Sequence, residues 1–247
     1  MSEARRIAYG PDPSQFGELS LPARAAHAGT IVIIHGGFWR ARYTLDLARA
    51  LAADLVAHGF ACWNVEYRRV GNGGGWPATF DDIAAAIDHL AELDVDASRT
   101  VTVGHSAGGH LAVLAAARRG RIPVVGAVAQ AGVLDLDGAV RDRLGDGATI
   151  DFLDGSPDEK PDRYAAADPI RAAPLPVPVL CVHAAADDTV PINQSERYVA
   201  AATHAGGRAV LREVPGDHYT LIEPTHESWA VVRAALPDLL AGTNGTR

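Results

Sequence analysis

The stretch Thr100-Val101-Thr102-Val103-Gly104-His105-Ser106-Ala107-Gly108-Gly109-His110-Leu111 decides how the rest of the chain is interpreted. Its first four residues, 100–103, predict a short strand, and the run 110–118 is typical of a helix. The residues between them match the pattern G-x-S-x-G. A turn this tight admits only small neighbours and projects Ser106 at the carboxyl end of the strand, above the start of the helix. The context therefore predicts a reactive serine rather than an ordinary glycine-rich turn.

On both sides of this turn, short apolar runs alternate with longer helical patterns. Further strands are predicted at residues 30–34, 60–67, 123–130, 177–183 and 209–214. Helices are predicted at 45–58, around 227–240, and from Thr79, where Thr79 can cap the helix and Asp81 and Asp82 suit its positive end. Strands separated by helices of this length form a mostly parallel sheet with helices on both faces. We expect one α/β domain over residues 1–247, in which residues 134–174, rich in Asp, Gly and Pro, form a small cap.

Composition excludes several classes of protein. The 247 residues are 48% hydrophobic and 21% charged, as in ordinary globular chains, and their net charge is −8. Such an acidic chain lacks the basic surface that nucleic acid or an anionic membrane would require. The paired arginines, including Arg68-Arg69, are expected on the surface, and Cys62 and Cys181 are expected to be buried hydrophobes. Neither a signal peptide nor a membrane span is apparent, so we expect a soluble, cytoplasmic protein.

A serine hydroxyl is a poor nucleophile on its own and needs a histidine base that is held by a carboxylate. Asp187 follows the strand predicted at 177–183, and His218 follows the strand predicted at 209–214. Both positions lie past strand carboxyl ends, the edge at which open α/β sheets assemble their sites. Asp187 is favoured over Asp188 by its spacing from Val190-Pro191, and His218 is favoured over His204 and His226, which lie in or beside predicted helices.

The same chemistry needs backbone N–H groups that face the developing negative charge. The stretch His35-Gly36-Gly37-Phe38-Trp39 lies at the end of the first long strand. Its Gly37 and Phe38, together with Ala107, are predicted to form the oxyanion hole. Trp39 and Trp76 lie on loops at the same edge and are candidate substrate contacts. Glu66, at a strand end, is expected to form a surface ion pair with Arg68 or Arg69. No cysteine–histidine cluster or phosphate loop is present, so no metal or cofactor is expected.

Taken in order, His35-Gly36-Gly37-Phe38-Trp39, the Ser106 motif, Asp187-x-x-Val190-Pro191 and Gly216-Asp217-His218 resemble an α/β-hydrolase. Within that superfamily the chain is similar to the hormone-sensitive-lipase-like esterases and to the kynurenine formamidase (arylformamidase) branch. The His-Gly-Gly-aromatic-Trp form favours the second of these. The resemblance implies a Ser106–His218–Asp187 triad that hydrolyses an ester or amide bond through an acyl-enzyme.

Several functions are compatible with these motifs. The substrate is expected to be a small ester, or an amide such as an N-formyl aryl compound. A non-catalytic ligand-binding protein on the same fold is a separate class, although such a protein need not keep all three residues. Thioester hydrolysis, lactone hydrolysis and lyase chemistry are also open, because one scaffold hosts many reactions.

Overall fold

Eight strands form a single sheet in the computed structural model, which describes residues 4–243. The strands are β1 Arg5–Ala8, β2 Phe16–Ser20, β3 Thr30–Ile34, β4 Ala61–Val65, β5 Thr100–His105, β6 Val124–Gln130, β7 Val179–Ala184 and β8 Ala209–Val214. Their order across the sheet is β1-β2-β4-β3-β5-β6-β7-β8. β2 is antiparallel to both of its neighbours, and every pair from β4 to β8 is parallel. The predicted mostly parallel sheet of an α/β-hydrolase is therefore confirmed.

Helices follow most of the strands. They are α1 Asp46–Ala57, α2 Ala78–Asp88, α3 Ala107–Ala117, α4 Leu136–Arg141, α5 Ala148–Leu153, α6 Pro161–Ala167, α7 Pro169–Ala172, α8 Asn193–His204 and α9 Glu227–Leu240. The two strands predicted at 30–34 and 209–214 and the helix predicted at 227–240 have the bounds that the sequence indicated. None of the helices in the described part of the chain combines the length and the apolar character that a membrane crossing requires.

The core lies on both faces of the sheet, as β3 illustrates. All five of its residues are buried. Val32 and Ile34 pack on the face that α2 and α3 cover, whereas Ile31 and Ile33 pack on the opposite face with α1 and α9. Alternate residues of a strand point to opposite faces, so a continuous apolar run is what a strand covered on both sides requires. The carboxyl ends of β3, β5, β7 and β8 are consequently held at one edge of a rigid sheet.

The N-terminal half departs from the expectation in two places. β1 and β2 were not predicted, because they are an antiparallel pair at the sheet margin whose residues are largely exposed or half-buried. Thr79 does not cap α2. Its hydroxyl donates to the carbonyl of Arg68 and accepts from the amide of Gly75, and the helix begins one residue earlier. The Asp82 carboxylate is fully buried and pairs with the Arg68 guanidinium rather than facing solvent at the helix end.

Residues 134–174 contain four short helices, α4 to α7. Phe152 and Tyr164 of this segment are fully buried in the cluster that also contains α2 and α3. The guanidinium Nη2 of Arg40 donates to the carbonyl of Gly145 at 2.7 Å, which ties the segment to the loop after β3. The single domain expected over residues 1–247 includes residues 1–3 and 244–247, which lie outside the described residues. The expectation that the chain has no signal peptide also involves residues 1–3.

Candidate active site

Ser106 occupies the turn between β5 and α3, and its backbone has the left-handed values φ 56° and ψ −121°. Such a conformation is strained for a residue with a side chain, and strain of this kind clusters at functional sites. The Ser106 amide donates to the carbonyl of Gln130 on β6 at 2.8 Å, and its carbonyl accepts from the amides of Gly109 and His110. The serine is 2% exposed. The turn is thus fixed at both ends while the side chain is held at the edge of the sheet.

The glycines around Ser106 are there because no side chain fits. A Cβ on Gly104 would lie 2.0 Å from the carbonyl oxygen of Gly108. A Cβ on Gly108 would lie 2.1 Å from the carbonyl oxygen of Ile34 in β3. Both distances are far below van der Waals contact and both involve backbone atoms, which cannot swing away. The G-x-S-x-G pattern is therefore a packing requirement of the strand–turn–helix.

Asp187 and His218 meet past the ends of two adjacent parallel strands, β7 and β8, whose final residues Ala184 and Val214 are paired in register. The ring Nδ1 of His218 is 2.7 Å from Asp187 Oδ2. The other oxygen, Oδ1, accepts from the backbone amides of Thr189 at 2.9 Å and Val190 at 2.8 Å. These donors fix the plane of the carboxylate and leave Oδ2 facing the His218 ring.

The charge on Asp187 is strongly stabilised. Burial of its side chain, which is 0% exposed, works to raise the pKa. Hydrogen bonding to the rings of His183 and His218 and to the Val190 amide outweighs burial and holds the pKa of Asp187 well below the usual value of a carboxyl group. Asp187 is therefore ionised at neutral pH and can orient His218 and balance a positive charge on its ring.

His218 is held from a second side by His105, the residue before Ser106. His105 Nε2 is 2.9 Å from the carbonyl of His218, and the two ring centroids are 4.4 Å apart. Burial and the nearby His218 lower the pKa of His105 to about 3. His105 is therefore neutral, so its Nε2–H donates to the carbonyl and it adds no charge to the site.

One small cavity, of about 60 Å³, is lined by both Ser106 and His218. No hydrogen bond joins these two side chains in the described structure, as is common in sites without substrate. The remaining lining residues are mostly aromatic or aliphatic and include Phe38, Tyr43 and Tyr219. Sequence reasoning missed Tyr43 and Tyr219. Tyr219 could have been predicted, because it directly follows His218 in the sequence.

The predicted oxyanion hole lies in the same place. Gly37 and Phe38 both have positive φ, 106° and 50°, and both line the cavity with Ser106. A Cβ on Gly37 would lie 2.4 Å from the ring of Tyr43, so the close approach requires glycine. The amides of Gly37, Phe38 and Ala107 have no acceptor among residues 4–243. These are three free N–H groups beside the serine, and such groups are what a developing oxyanion needs.

A buried ionic network lies beneath the Gly37 loop. Glu66 Oε1 is 3.0 Å from His35 Nε2 and also pairs with Arg69, while Oε2 accepts from the amide of Leu45 at 3.1 Å. Burial works to raise the pKa of Glu66, but its hydrogen bond to His35, the charges of His35 and Arg69, and the amide of Tyr67 lower it overall. The expected ion pair of Glu66 with Arg69 is therefore confirmed. Its expected position on the surface is wrong, because Glu66 and Arg69 are each 3% exposed.

The two predicted tryptophan contacts lie elsewhere. Trp39 is 1% exposed and stacks on Phe152 with 4.5 Å between ring centroids. Trp76 packs edge-on against Phe80 and lines a separate groove of about 360 Å³ between α2 and α3. Neither side chain lines the cavity that contains Ser106. The structure thus brings together Ser106, Asp187, His218 and the residues predicted to form the oxyanion hole, but not Trp39 or Trp76.

Other polar groups have separate roles. His226, a rejected alternative to His218, caps α9 by accepting from the amide of Ser228. Within residues 4–243 no three His, Cys, Asp or Glu side chains are grouped so that they could hold a metal ion. Cys62 and Cys181 are free and buried, as predicted.

Comparison with known proteins identifies a family and related proteins. The family model described as BD-FAE matches residues 18–201. Esterase LipC of Mycobacterium tuberculosis is 26% identical over 222 residues, which are 79% of this chain and 54% of LipC. The chain thus spans about half the length of that relative.

Solved structures show the fold. A truncated form of a carbohydrate esterase from gut microbiota superposes with a TM-score of 0.83 at 22% identity, over 97% of each chain. Esterase B from Lactobacillus rhamnosis superposes with a TM-score of 0.81 at 20% identity, over 97% of this chain and 84% of that one. With its family model matched over most of its length, this chain belongs to the BD-FAE family, and its fold is that of an α/β-hydrolase.

Proposed function

We propose that this protein is a serine esterase that hydrolyses a small ester or amide through an acyl-enzyme on Ser106. The observation that carries the proposal is the 2.7 Å bond from His218 Nδ1 to a buried, ionised Asp187, with His218 and Ser106 lining one cavity. The similarity to LipC, which is named an esterase, supports the same proposal.

The first step is removal of the Ser106 proton. Because His218 donates through Nδ1 to Asp187, its Nε2 is left without a proton and acts as the general base. The Ser106 oxygen then attacks the carbonyl carbon of the substrate. The positive charge that develops on His218 is balanced by Asp187, whose low pKa keeps it ionised throughout.

The negative charge that develops on the substrate oxygen is stabilised by the free amides of Gly37, Phe38 and Ala107. One such donor typically contributes ~10²–10³ in rate. Collapse of the tetrahedral intermediate expels the alcohol or amine, which takes its proton from His218. A water molecule, activated by the same histidine, then attacks the acyl-enzyme and releases the acid and free Ser106.

The cavity supports a small, uncharged substrate. Its volume is about 60 Å³, and apart from the histidine rings its lining includes no ionisable group other than the tyrosine hydroxyls. The ring of Phe38 stands beside the oxyanion-hole amides and limits the room for the acyl group. Short acyl groups follow from this limit, and formyl is the shortest. A formamidase acting on N-formyl aryl compounds is therefore our second candidate.

We further propose one domain in which residues 134–174 are a cap that helps to set substrate size. The ring of Phe38 packs directly against this segment, since a Cβ on Gly145 would lie 2.6 Å from that ring. The Arg40 bond to the Gly145 carbonyl holds the two loops together. The cap thereby fixes the side chain that narrows the cavity.

A hydrolysis panel tests the proposal. Acetate, butyrate and octanoate aryl esters, N-formylkynurenine, lactones and thioesters are assayed with the wild type and with Ser106→Ala. We expect turnover of short-chain substrates that Ser106→Ala abolishes while its circular dichroism and Tm remain those of the wild type. Substantial hydrolysis by Ser106→Ala would overturn the assignment, and no turnover of any substrate would favour a ligand-binding protein. The ranking of acetate against N-formylkynurenine separates the two candidates.

A further inference from the structure

His183 makes contacts that the mechanism above leaves without a role. It lies near the end of β7, its side chain is 0% exposed, and both ring nitrogens are engaged. Nδ1 is 2.8 Å from the hydroxyl of Ser195 on α8, and Nε2 is 2.8 Å from the carbonyl of Val190. The same Nε2 lies 3.5 Å from Asp187 Oδ2. His183 therefore connects β7 with α8 and with the loop 185–190 that carries Asp187, here called the acid loop.

The partners fix where the ring carries its proton. A carbonyl oxygen can only accept, so Nε2 carries a hydrogen and donates it to Val190. The Ser195 hydroxyl can donate to Nδ1. The positive end of the Nε2–H bond consequently faces both the Val190 carbonyl and Oδ2 of Asp187.

These contacts form a chain of bonds from His183 through the acid to His218. His183 holds the carbonyl of Val190, the amide of Val190 holds Asp187 Oδ1 at 2.8 Å, and Asp187 Oδ2 holds His218. Val190 is thus fixed through both of its backbone polar groups. Removing the His183 ring frees one side of the loop and withdraws a donor that faces the oxygen used by His218.

We propose that His183 is a positioning residue that fixes the Asp187 carboxylate and shares the charge on its Oδ2 with His218. The inference rests on the proposed function. Without the His183 N–H, His218 is left as the one ring donor to that oxygen among residues 4–243, and more of the carboxylate charge stabilises protonated His218. In the pH profile of kcat/KM, the fall in activity at low pH (the acid limb) reports protonation of the base in the free enzyme. This limb then moves to higher pH.

Other titratable groups lie near His183 within residues 4–243. Besides Asp187 and His218, they include His105, which stays neutral because burial lowers its pKa to about 3, and Cys181 on the same strand. Burial also raises the pKa of Tyr198 on α8 far above its usual value, and Asp188 beside Asp187 is exposed. Burial raises the pKa of the Cys181 thiol to about 12, so it does not ionise in the range of the assay. A shift of the acid limb in a His183 variant therefore reports on Asp187 and His218.

The test compares His183→Leu, which removes both polar contacts, with His183→Gln, whose amide can still donate to Val190. Activity on a short-chain aryl ester is measured from pH 5 to 9 and divided by the fraction of enzyme that a fluorophosphonate titrates. For His183→Leu we expect kcat to fall by about tenfold or more, since small misplacements of reacting groups are this costly. We expect KM to stay within about twofold, the acid limb to rise by about half a pH unit, and His183→Gln to restore both values.

Trp63 supplies a control outside the site. It is 0% exposed in β4, and its Nε1 donates to a backbone carbonyl, that of Ala86, at 3.1 Å. Trp63→Phe also removes one buried bond to a backbone carbonyl and should leave the acid limb and kcat per titrated site unchanged.

The proposal is overturned if the acid limb of His183→Leu coincides with that of the wild type, or if His183→Gln is as impaired as His183→Leu. Should His183→Leu fail to fold, Ser195→Ala takes its place, because it removes the bond that holds the His183 ring with little change in volume. Ser195→Ala must also move the acid limb to higher pH, and an unmoved acid limb overturns the proposal. The proposed function is tested separately on the wild type and Ser106→Ala: it fails if Ser106→Ala retains hydrolysis or if the wild type turns over no substrate, and neither result depends on His183.

Discussion

Replacing Asp187 by asparagine should nearly abolish activity although it changes a single atom. Oδ1 of the carboxylate accepts from the amides of Thr189 and Val190, so the asparagine oxygen must remain on that side to avoid opposing two N–H groups. The new NH₂ group then faces His218 Nδ1 across the 2.7 Å gap. Two donors cannot share one bond, and His218 must accept at Nδ1 and carry its proton on Nε2. In this tautomer it cannot remove the proton of Ser106.

The loss expected for a wrong tautomer in a Ser-His-Asp triad is about 10⁴-fold in kcat, or roughly 5 kcal/mol of transition-state stabilisation. KM should change little, because Asp187 is buried behind His218 and does not line the cavity. Initial rates on a short-chain ester give both constants, and circular dichroism checks the fold. Asp188→Asn is the control. Asp188 is exposed and, within the described part of the chain, its side chain accepts a hydrogen bond only from the Thr189 hydroxyl, so activity should stay within about twofold of the wild type.

Two results would refute this reasoning. A kcat for Asp187→Asn within tenfold of the wild type would show that the carboxylate does not set the tautomer of His218. An equal loss in Asp188→Asn would show that the loop, rather than one carboxylate, is what matters.

Three other substitutions have expected outcomes. Gly108→Ala places a methyl carbon 2.1 Å from the carbonyl oxygen of Ile34. The free energy of unfolding should fall by about 3 kcal/mol and Tm by roughly 6–12 °C. An unchanged Tm in calorimetry would contradict the packing argument. Glu66→Gln leaves the buried Arg69 without its charged partner and should lower the free energy of unfolding by about 3 kcal/mol in urea titrations. The pKa of Glu66 is lower in the folded than in the unfolded state, so its contribution is present above pH ~4.3 and is lost as the pH falls; the variant should lack that pH dependence, and wild-type behaviour would refute the network's role. Phe38→Gly keeps the amide, removes the ring and should raise the ratio of kcat/KM for octanoate over acetate by about tenfold or more, whereas a constant ratio would remove Phe38 from the control of acyl size.

Fully buried parallel strands were the easiest part of the fold to predict. Thr30–Ile34 is apolar throughout because helices cover both of its faces, and a pattern that strong has one interpretation. β1 and β2 carry no comparable run, since they pair through backbone bonds at an exposed margin. The only signal for β2 was the alternation of Gly17 and Leu19, its buried residues, with half-buried neighbours.

The candidate triad could be predicted for a similar reason. Ser106, Asp187 and His218 each follow a strand of a parallel sheet, and such strands place their ends together whatever their separation along the chain. Glu66 and His35 are 31 residues apart in sequence, and their contact depends on the direction in which the Glu66 side chain points after the end of β4. Sequence spacing carries no information about that direction. This is also why Trp39, on a loop at the correct edge, was mistaken for a cavity residue while its ring lies in the core.

The central claim is that Ser106 is an activated nucleophile, and covalent labelling tests it most directly. The protein is incubated with a fluorophosphonate, and the labelled peptide is identified by mass spectrometry. We expect one adduct per chain, on Ser106, and loss of ester hydrolysis in proportion to labelling. We expect no adduct in Ser106→Ala and much slower labelling in Asp187→Asn. An unlabelled Ser106 in a folded protein, or an adduct on another residue that accounts for the activity, would contradict the account.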